Sequence, residues 1–350
     1  MSDEIFQKGG PHNIRRSAPD EYRMSIDLPT DQDGMLAREC VDESCSPAYF
    51  KVRPGTGVLE DHEEAYCPYC HSSGDPNDFA TSAQIEYAKS IVLREAEMGV
   101  QSLIKKSLGL GPSGKKKIGG GFLSMEMTYK PGRIAHVPRP YEEELRRDVT
   151  CPNCGLEHAV FGLAIWCPDC GADIFLSHVA KEFEVIEMVI GAVEGRRDRL
   201  GARIAGRDIE NALEDTVSIF EAVMKEITRR HLAAQGKTDE DIERVIDKVV
   251  RNRYQSVRSA AMLFEEQVGF PLFESVLDSD IETLKAAFEK RHPIAHNLGI
   301  VDRKYLERAL SGELEGREIR LTEKEVLDAI RIARDTIARV HSKAFPDGQS

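Results

Sequence analysis

Within KRHPIAHN, residues 290–297, stand Arg291, His292, Pro293, His296 and Asn297. An imidazole takes or gives a proton near neutrality because its unperturbed pKa is about 6.5. A guanidinium stays charged and offers a planar fork that matches phosphate oxygens. Together they could move protons at a phosphodiester while holding its charge. The same residues also suit a solvated helix start, with Asn297 and the histidines making local hydrogen bonds. On an ideal helix, five positions separate Arg291 from His296 by about 140°. Pro293 changes that geometry: it pushes His292 away from helical angles and suits the first turn of a helix. A helix beginning there would leave Arg291 at the junction and His296 just inside.

A second chemistry is carried by eight cysteines, each with a neighbour three or five positions away. In TCPNCGLEHAVFGLAIWCPDCG, Cys151 and Cys154 are followed after twelve residues by Cys167 and Cys170. Two residues between thiolates let a tight turn aim both sulfurs at one tetrahedral ion, and the glycine after each pair permits close backbone approach. The intervening LEHAVFGLAIW alternates as a short hairpin would. Cys40 and Cys45 form a looser C-x4-C knuckle, separated by 21 residues from Cys67 and Cys70. Disulfides are the competing use, but no secretion signal precedes them, and paired C-x2-C motifs in a reducing compartment hold metal. Two structural Zn²⁺ ions are therefore expected, each held by four cysteines, with no open position for catalytic water. Pairing between the two sets stays possible, and local pairing is simpler. His71 and His158 lie close enough in sequence to be outer-shell neighbours of the metal, and a surface position is the simpler reading for both.

The elements that must position these groups fall into two halves. At 350 residues, with 41% hydrophobic and 31% charged content, the chain can bury a core and divides into several units. The domains expected are a polar, flexible leader at 1–35, a first zinc ribbon at 36–76 and a helix, basic linker and strand at 77–150. A second ribbon at 151–173 and an all-α domain at 174–345 follow. No apolar run is long enough to span a bilayer and the N-terminus lacks an apolar signal core, so a cytoplasmic protein is expected. The formal charge of -13 argues against a protein coated in positive charge for duplex DNA. Against that background, residues 99–141 carry Lys105, Lys106, Lys115, Lys116, Lys117, Lys130, Arg133 and Arg139 with Glu126 as the one acid. This is either a solvated linker or a strip that tracks phosphates. Thr81 and Gln84 form a capping-box pattern ahead of Ile85, Ala88, Val92 and Ala96 at helical spacing. Gly109 to Lys115 matches G-x4-G-K, but a helix precedes it and Lys116 replaces the hydroxyl that would hold Mg²⁺, so a flexible linker explains it better. FLSMEMTYKPGR reads as a strand, with Phe122, Ser124, Glu126 and Thr128 on one side and Leu123, Met125, Met127 and Tyr129 on the other.

The second half is helical. Phe175, Val179, Phe183, Ile186, Ile190 and Val193 recur at steps of three and four, and Ile209, Leu213, Val217, Phe220, Met224 and Ile227 repeat the pattern. With EGRRDRLGARIAGRD between them, these stripes predict two antiparallel helices. Further helices are predicted around 242–250, 260–268, 281–290, 305–310 and 322–341, with GFPLFESV as a turn.

Within this bundle, FEKRHPIAHNLGIVDRKYLERAL, with LEDTVSIFEAVMKEI before it, resembles the HEPN superfamily. Active members of that superfamily carry Arg, a polar residue and then His, which here are Arg291, His292 and His296 in the R-x4-H form. The resemblance covers about half the chain. It implies metal-independent endoribonuclease activity, with RNA as substrate and a toxin or antiviral setting. It also implies a cleft where two bundles meet, and hence a homodimer. His296 would be the proton-transfer group, Arg291 the clamp on phosphate, and His292 and Asn297 orienting groups. The family's R-x4-H-x-Y toxins have Tyr where this chain has Leu298, which sets it apart from that subgroup. The expected fold class is α+β multidomain, two small zinc ribbons followed by an all-α HEPN-like bundle. The ribbons would present nucleic acid or a trigger. The alternative function is a non-catalytic adaptor that binds nucleic acid or protein through its N-terminal half.

Overall fold

Short alternating segments beside the cysteines form strands, and three- and four-step apolar stripes beyond them form helices. A computed structural model of the protein describes residues 6, 12–18, 21–58, 63–110, 115–118, 125–128, 146–309 and 312–346. The chain is mixed α/β, with small sheets in its N-terminal part and a helical C-terminal region. It divides into two units, Met1–Gly162 with Cys167–Gly171, and Leu163–Trp166 with Ala172–Ser350.

In the first unit, β1 (Arg15–Ala18) pairs antiparallel with β2 (Glu21–Arg23). Residues 1–35 were expected as a polar leader, yet Ile14 and Met35 are buried there. The main sheet is antiparallel, in the order β3 (Leu36–Glu39), β4 (Tyr49–Val52), β10 (Glu157–Val160), β9 (Arg147–Thr150). Both cysteine-rich segments thus build one sheet, joined where His158 to Val160 pair with Val52 to Phe50. Each segment alone offers two short strands, too few to bury a hydrophobic face. Joined, they bury Phe50, Val149, Ala159 and Val160. LEHAVFGLAIW contributes a single strand, β10, and the hairpin partner is β9, upstream of Cys151. A two-residue ladder joins β5 (Ala65–Tyr66) to β6 (Ser73–Gly74).

Helix α1 (Ser82–Ser107) starts at the predicted capping box: Gln84 N–H donates to the Thr81 hydroxyl at 3.2 Å and Thr81 N–H to the Gln84 side-chain oxygen at 3.0 Å. Its packed positions are Gln84, Ile91 and Gly99, whereas Ile85, on the predicted apolar stripe, is 45% exposed. Strands β7 (Lys115–Ile118) and β8 (Met125–Thr128) pair antiparallel, so Lys115 opens a strand and not the helix a phosphate-binding loop requires. Of the basic strip, Lys105 and Lys106 end α1, Lys115 to Lys117 lie on β7, and Lys130, Arg133 and Arg139 fall outside the described residues.

The second unit is a helical bundle. Its helices are α2 (Phe175–Gly191), α3 (Val193–Leu200), α4 (Ala202–Ala234), α5 (Asp239–Val245), α6 (Val257–Val268), α7 (Asp278–Asn297), α8 (Arg303–Ala309) and α9 (Glu323–Ala344). All twelve residues of the two stripes are buried. The Arg-rich stretch expected to separate two helices is itself mostly helical, and the chain turns at Gly201, whose φ of 93° suits glycine. Helix α4, about 50 Å long at 1.5 Å per residue, packs against α2, α3, α6, α7 and α9. After α5 the helix widens into a π turn at Ile246–Val250 and a 3₁₀ turn at Arg253–Gln255. Beneath it, Tyr254 and Thr228 share a buried 2.6 Å hydroxyl hydrogen bond.

Candidate functional site

Each cysteine set gathers as a local cluster. The four sulfurs of Cys40, Cys45, Cys67 and Cys70 lie within 4.8 Å of one another, as do those of Cys151, Cys154, Cys167 and Cys170. The Sγ–Sγ distances are 3.6 Å for Cys40–Cys70, 3.7 Å for Cys45–Cys67, 3.8 Å for Cys151–Cys170 and 3.6 Å for Cys154–Cys167. A tetrahedron with metal–sulfur bonds of about 2.3 Å has edges near 3.8 Å, so both donor sets fit one ion. They are far from the roughly 2.05 Å of a disulfide. Burial pushes the Cys67 and Cys167 thiols well above their usual range and those of Cys45 and Cys154 up to about 12. Buried thiols of this kind become thiolates readily only when a cation takes the place of their protons.

The backbone supports these knuckles. The N–H groups of Asn153 and Tyr69 point at the sulfurs of Cys151 and Cys67, at 3.4 and 3.5 Å. Gly57, at φ 86°, passes so close to Asp169 that a Cβ there would sit 2.1 Å from its carboxylate oxygen. The next residue, Val58, donates its N–H to that oxygen. His158 corrects the surface reading, since it is fully buried in the sheet; its strand position opposite Val149 and Val52 places it on an inward face. His71 stacks on Tyr66 with ring centroids 5.1 Å apart.

In the bundle, α7 runs unbroken from Asp278 to Asn297 with Pro293 inside it. The expectation of a helix starting at Pro293 is therefore corrected: RHPIAHN is the end of a helix. Pro293 removes one donor, but only in the last turns, and its ring is buried beside Ile294. Its carbonyl accepts from Leu298 N–H and, at 2.9 Å, from Gly299 N–H, which closes the helix end. Leu298 adopts the left-handed conformation, φ 52° and ψ 34°, and is 83% exposed.

A continuous helix separates the predicted site residues into two groups. His292 and His296, four positions apart, share a face, with ring centroids 5.2 Å apart. His292 Nε2 lies 3.7 Å from the Asp302 carboxylate. Burial, followed by the nearby cation Lys304, holds the His292 imidazole below its usual range, against the opposite pull of Asp302. His296 is exposed. Arg291 turns elsewhere: its Nη1 donates to the Gln255 side-chain oxygen at 2.8 Å, and Gln255 in turn donates to Glu221 at 2.5 Å. Glu221 also pairs with Lys225 at 2.7 Å. Arg291 Nε is buried and has no hydrogen-bond partner among the described residues. Asn297 donates to the carbonyl of Ile300 at 2.8 Å, a local turn bond.

Two groups escaped the sequence reading. Gln255 sits in a 3₁₀ turn far from Arg291 in sequence, and no spacing rule joins them. The second is a charged node: Arg230 donates to Asp173 at 2.7 Å, and His341 Nε2 lies 3.5 Å from the same carboxylate. Trp166 and Phe345 flank the Arg230 guanidinium, with ring centroids 5.2 and 4.1 Å away. Comparison with protein-family models, curated proteins and solved structures finds no match for this chain. Among the described residues no helix is long and apolar enough to cross a membrane.

Proposed function

We propose that this chain is a metal-independent endoribonuclease of the HEPN type that acts in the cytoplasm as a homodimer, with Zn²⁺ in both cysteine clusters. The observation that carries the reading is the His292–His296 pair, two imidazoles 5.2 Å apart at an exposed helix end. RNA cleavage without metal needs a group to accept the 2′-hydroxyl proton and another to protonate the leaving 5′-oxygen. His292, held toward its neutral form, is suited to accept, and the exposed His296 to donate. The negative charge on phosphorus needs a cation. Arg291 lies about 100° around the helix from His292 and about 140° from His296. A phosphate resting on one protomer's histidines is therefore met by the guanidinium of a second copy. The resemblance to HEPN nucleases supports a toxin or antiviral role, with the ribbons engaging nucleic acid or a trigger.

A second reading, a zinc-stapled adaptor that binds without cutting, is favoured by the engagement of Arg291 with Gln255 and of Asn297 with Ile300. Incubation of the purified, metal-loaded chain with RNA and with DNA of equal sequence, in EDTA too weak to strip the ribbons, separates the two. The nuclease cuts RNA and spares DNA. His296→Ala and Arg291→Ala are each expected to lower cutting by about 10² or more while leaving the circular-dichroism spectrum unchanged. Intact RNA with the wild-type dimer, confirmed by light scattering, leaves the adaptor.

A further inference from the structure

The ribbon unit contains a cavity of about 170 Å³ over the sheet face that carries Arg38, Phe50 and Val52. Phe79, Leu156 and Pro168 complete its apolar walls. Arg38 and Phe50 are direct partners across β3 and β4, so both side chains project to the same side. Phe50 and Phe79 meet edge to face, with centroids 6.0 Å apart.

Two cations line this cavity, Arg38 and Arg53, and among the described residues Arg38 has no ion-pair partner. Other cations of the sheet are matched: Lys51 with Asp31 at 3.1 Å, Arg53 with Glu157 at 2.6 Å, and Arg146 with Asp33 at 2.6 Å. The part-buried guanidinium of Arg38 makes one long hydrogen bond, 3.4 Å from Nη1 to the carbonyl of Ala37, and no ion pair among the described residues. A guanidinium has five N–H donors in a fixed fork, and a desolvated charge is retained in a fold when something pairs with it. Asp169, also on the cavity wall, accepts from the Val58 N–H and forms no ion pair with Arg38 among the described residues.

We propose that this cavity binds a monocarboxylate whose apolar body is about the size of one aromatic ring. The carboxylate takes the Arg38 fork, and the ring lies against Phe50, Phe79 and Val52. Size sets the class, since an apolar cavity of about 150 Å³ accepts benzene, and base, sugar and phosphate together exceed it. The fork's parallel N–H donors match a carboxylate or a phosphate, and of the two the smaller, planar carboxylate leaves the rest of the cavity to the ring. Leu156 and Pro168 come from the second cysteine segment and Arg38 and Phe50 from the first, so the bound acid ties the two together.

Calorimetry on the metal-loaded full chain tests this with 3-phenylpropionate, 3-phenylpropionamide and inorganic phosphate. The acid is expected to bind about tenfold or more tightly than the amide, with no binding of phosphate alone. Arg38→Met is expected to weaken the acid by about tenfold or more, while metal content by elemental analysis and the melting temperature of the free protein stay unchanged. Arg38→Gln, which keeps donors but not the charge, guards against a packing defect and is expected to weaken it similarly. The assignment is overturned by equal affinity for acid and amide, by acid binding that survives both variants, or by absence of acid binding up to millimolar concentration.

Discussion

His292 and His296 face each other across one turn of α7, centroids 5.2 Å apart and planes inclined by 56°, with Asp302 reaching toward the first ring. The pair is unequal. One ring is partly buried near Lys304 and Arg308, and the other is exposed. Inequality of this kind suits two identical side chains to the different roles that the proposed acid–base chemistry gives them.

The first consequence is a pH dependence. Because burial depresses the His292 imidazole, the unfolded chain takes up its proton before the folded one does as pH falls through about 6.5. Stability contributed by this residue is present above that pH and is lost as pH falls on through the folded value. Proton-detected titration is expected to place His292 below an unperturbed imidazole, and added salt to move it upward by screening Lys304. In His292→Asn, the stability decline over that window should shrink. An unchanged decline would remove the assignment.

Leu298 offers a test of the proposed dimer. A left-handed conformation costs an L-residue with a branched side chain about 1 kcal/mol, and Asn tolerates it better at a helix end. Leu298→Asn is expected to raise monomer stability by about 0.5–1 kcal/mol in urea denaturation. If this leucine is kept for a subunit contact beside His296, the same substitution weakens the dimer in sedimentation. A stabilised variant with an unaltered dimer would place the contact elsewhere.

The node around Asp173 makes a prediction about stability alone. Burial pushes its carboxyl up, but hydrogen bonds from His341, Arg230 and the Phe175 N–H more than offset this and hold it below the usual carboxylate range. Its contribution is therefore present at neutral pH and is lost only as pH falls below about 3.9 and through the lower folded value. Arg230→Met strands the carboxylate and is expected to cost about 3–5 kcal/mol. The double variant Arg230→Met with Asp173→Asn should recover part of that loss, and failure to recover any would mean that Arg230 acts through its aromatic neighbours instead.

Metal removal should act on one part of the chain. Elemental analysis is expected to give two zinc ions per chain, and Cys67→Ser or Cys167→Ser to lower that to about one. A strong thiophilic chelator should abolish the amide protection of β4 and β10, while the helical signal of residues 175–344 largely persists. Retained protection of β10 in metal-free protein would show that packing around Phe50 suffices.

Much of the helical architecture was legible because its core obeys a 3.6-residue period: every residue from Phe175 to Ile227 assigned to a stripe is buried. The cysteine spacing likewise identified both clusters, since a C-x2-C turn is local. What stayed hidden was set by distant partners. Pro293 reads as a helix start by local rules, yet packing of α7 against α4 and α9 carries the helix through it. The apolar spacing of α1 identified a helix but not which of its faces packs. The Arg291 guanidinium was placed by Gln255, and no feature of KRHPIAHN announces that partner. His158 looked like a surface residue because β10 reads as half of a local hairpin, whereas it is an interior strand covered on both edges.

That interior strand governs the order in which the N-terminal unit can be completed. Until residues 147–160 arrive, β4 has a bare hydrogen-bonding edge beside Phe50, which invites pairing with another chain. Fragments that stop before Arg147 should therefore aggregate even when supplied with zinc, and adding the segment 146–171 as a separate peptide should rescue them by supplying the missing strands.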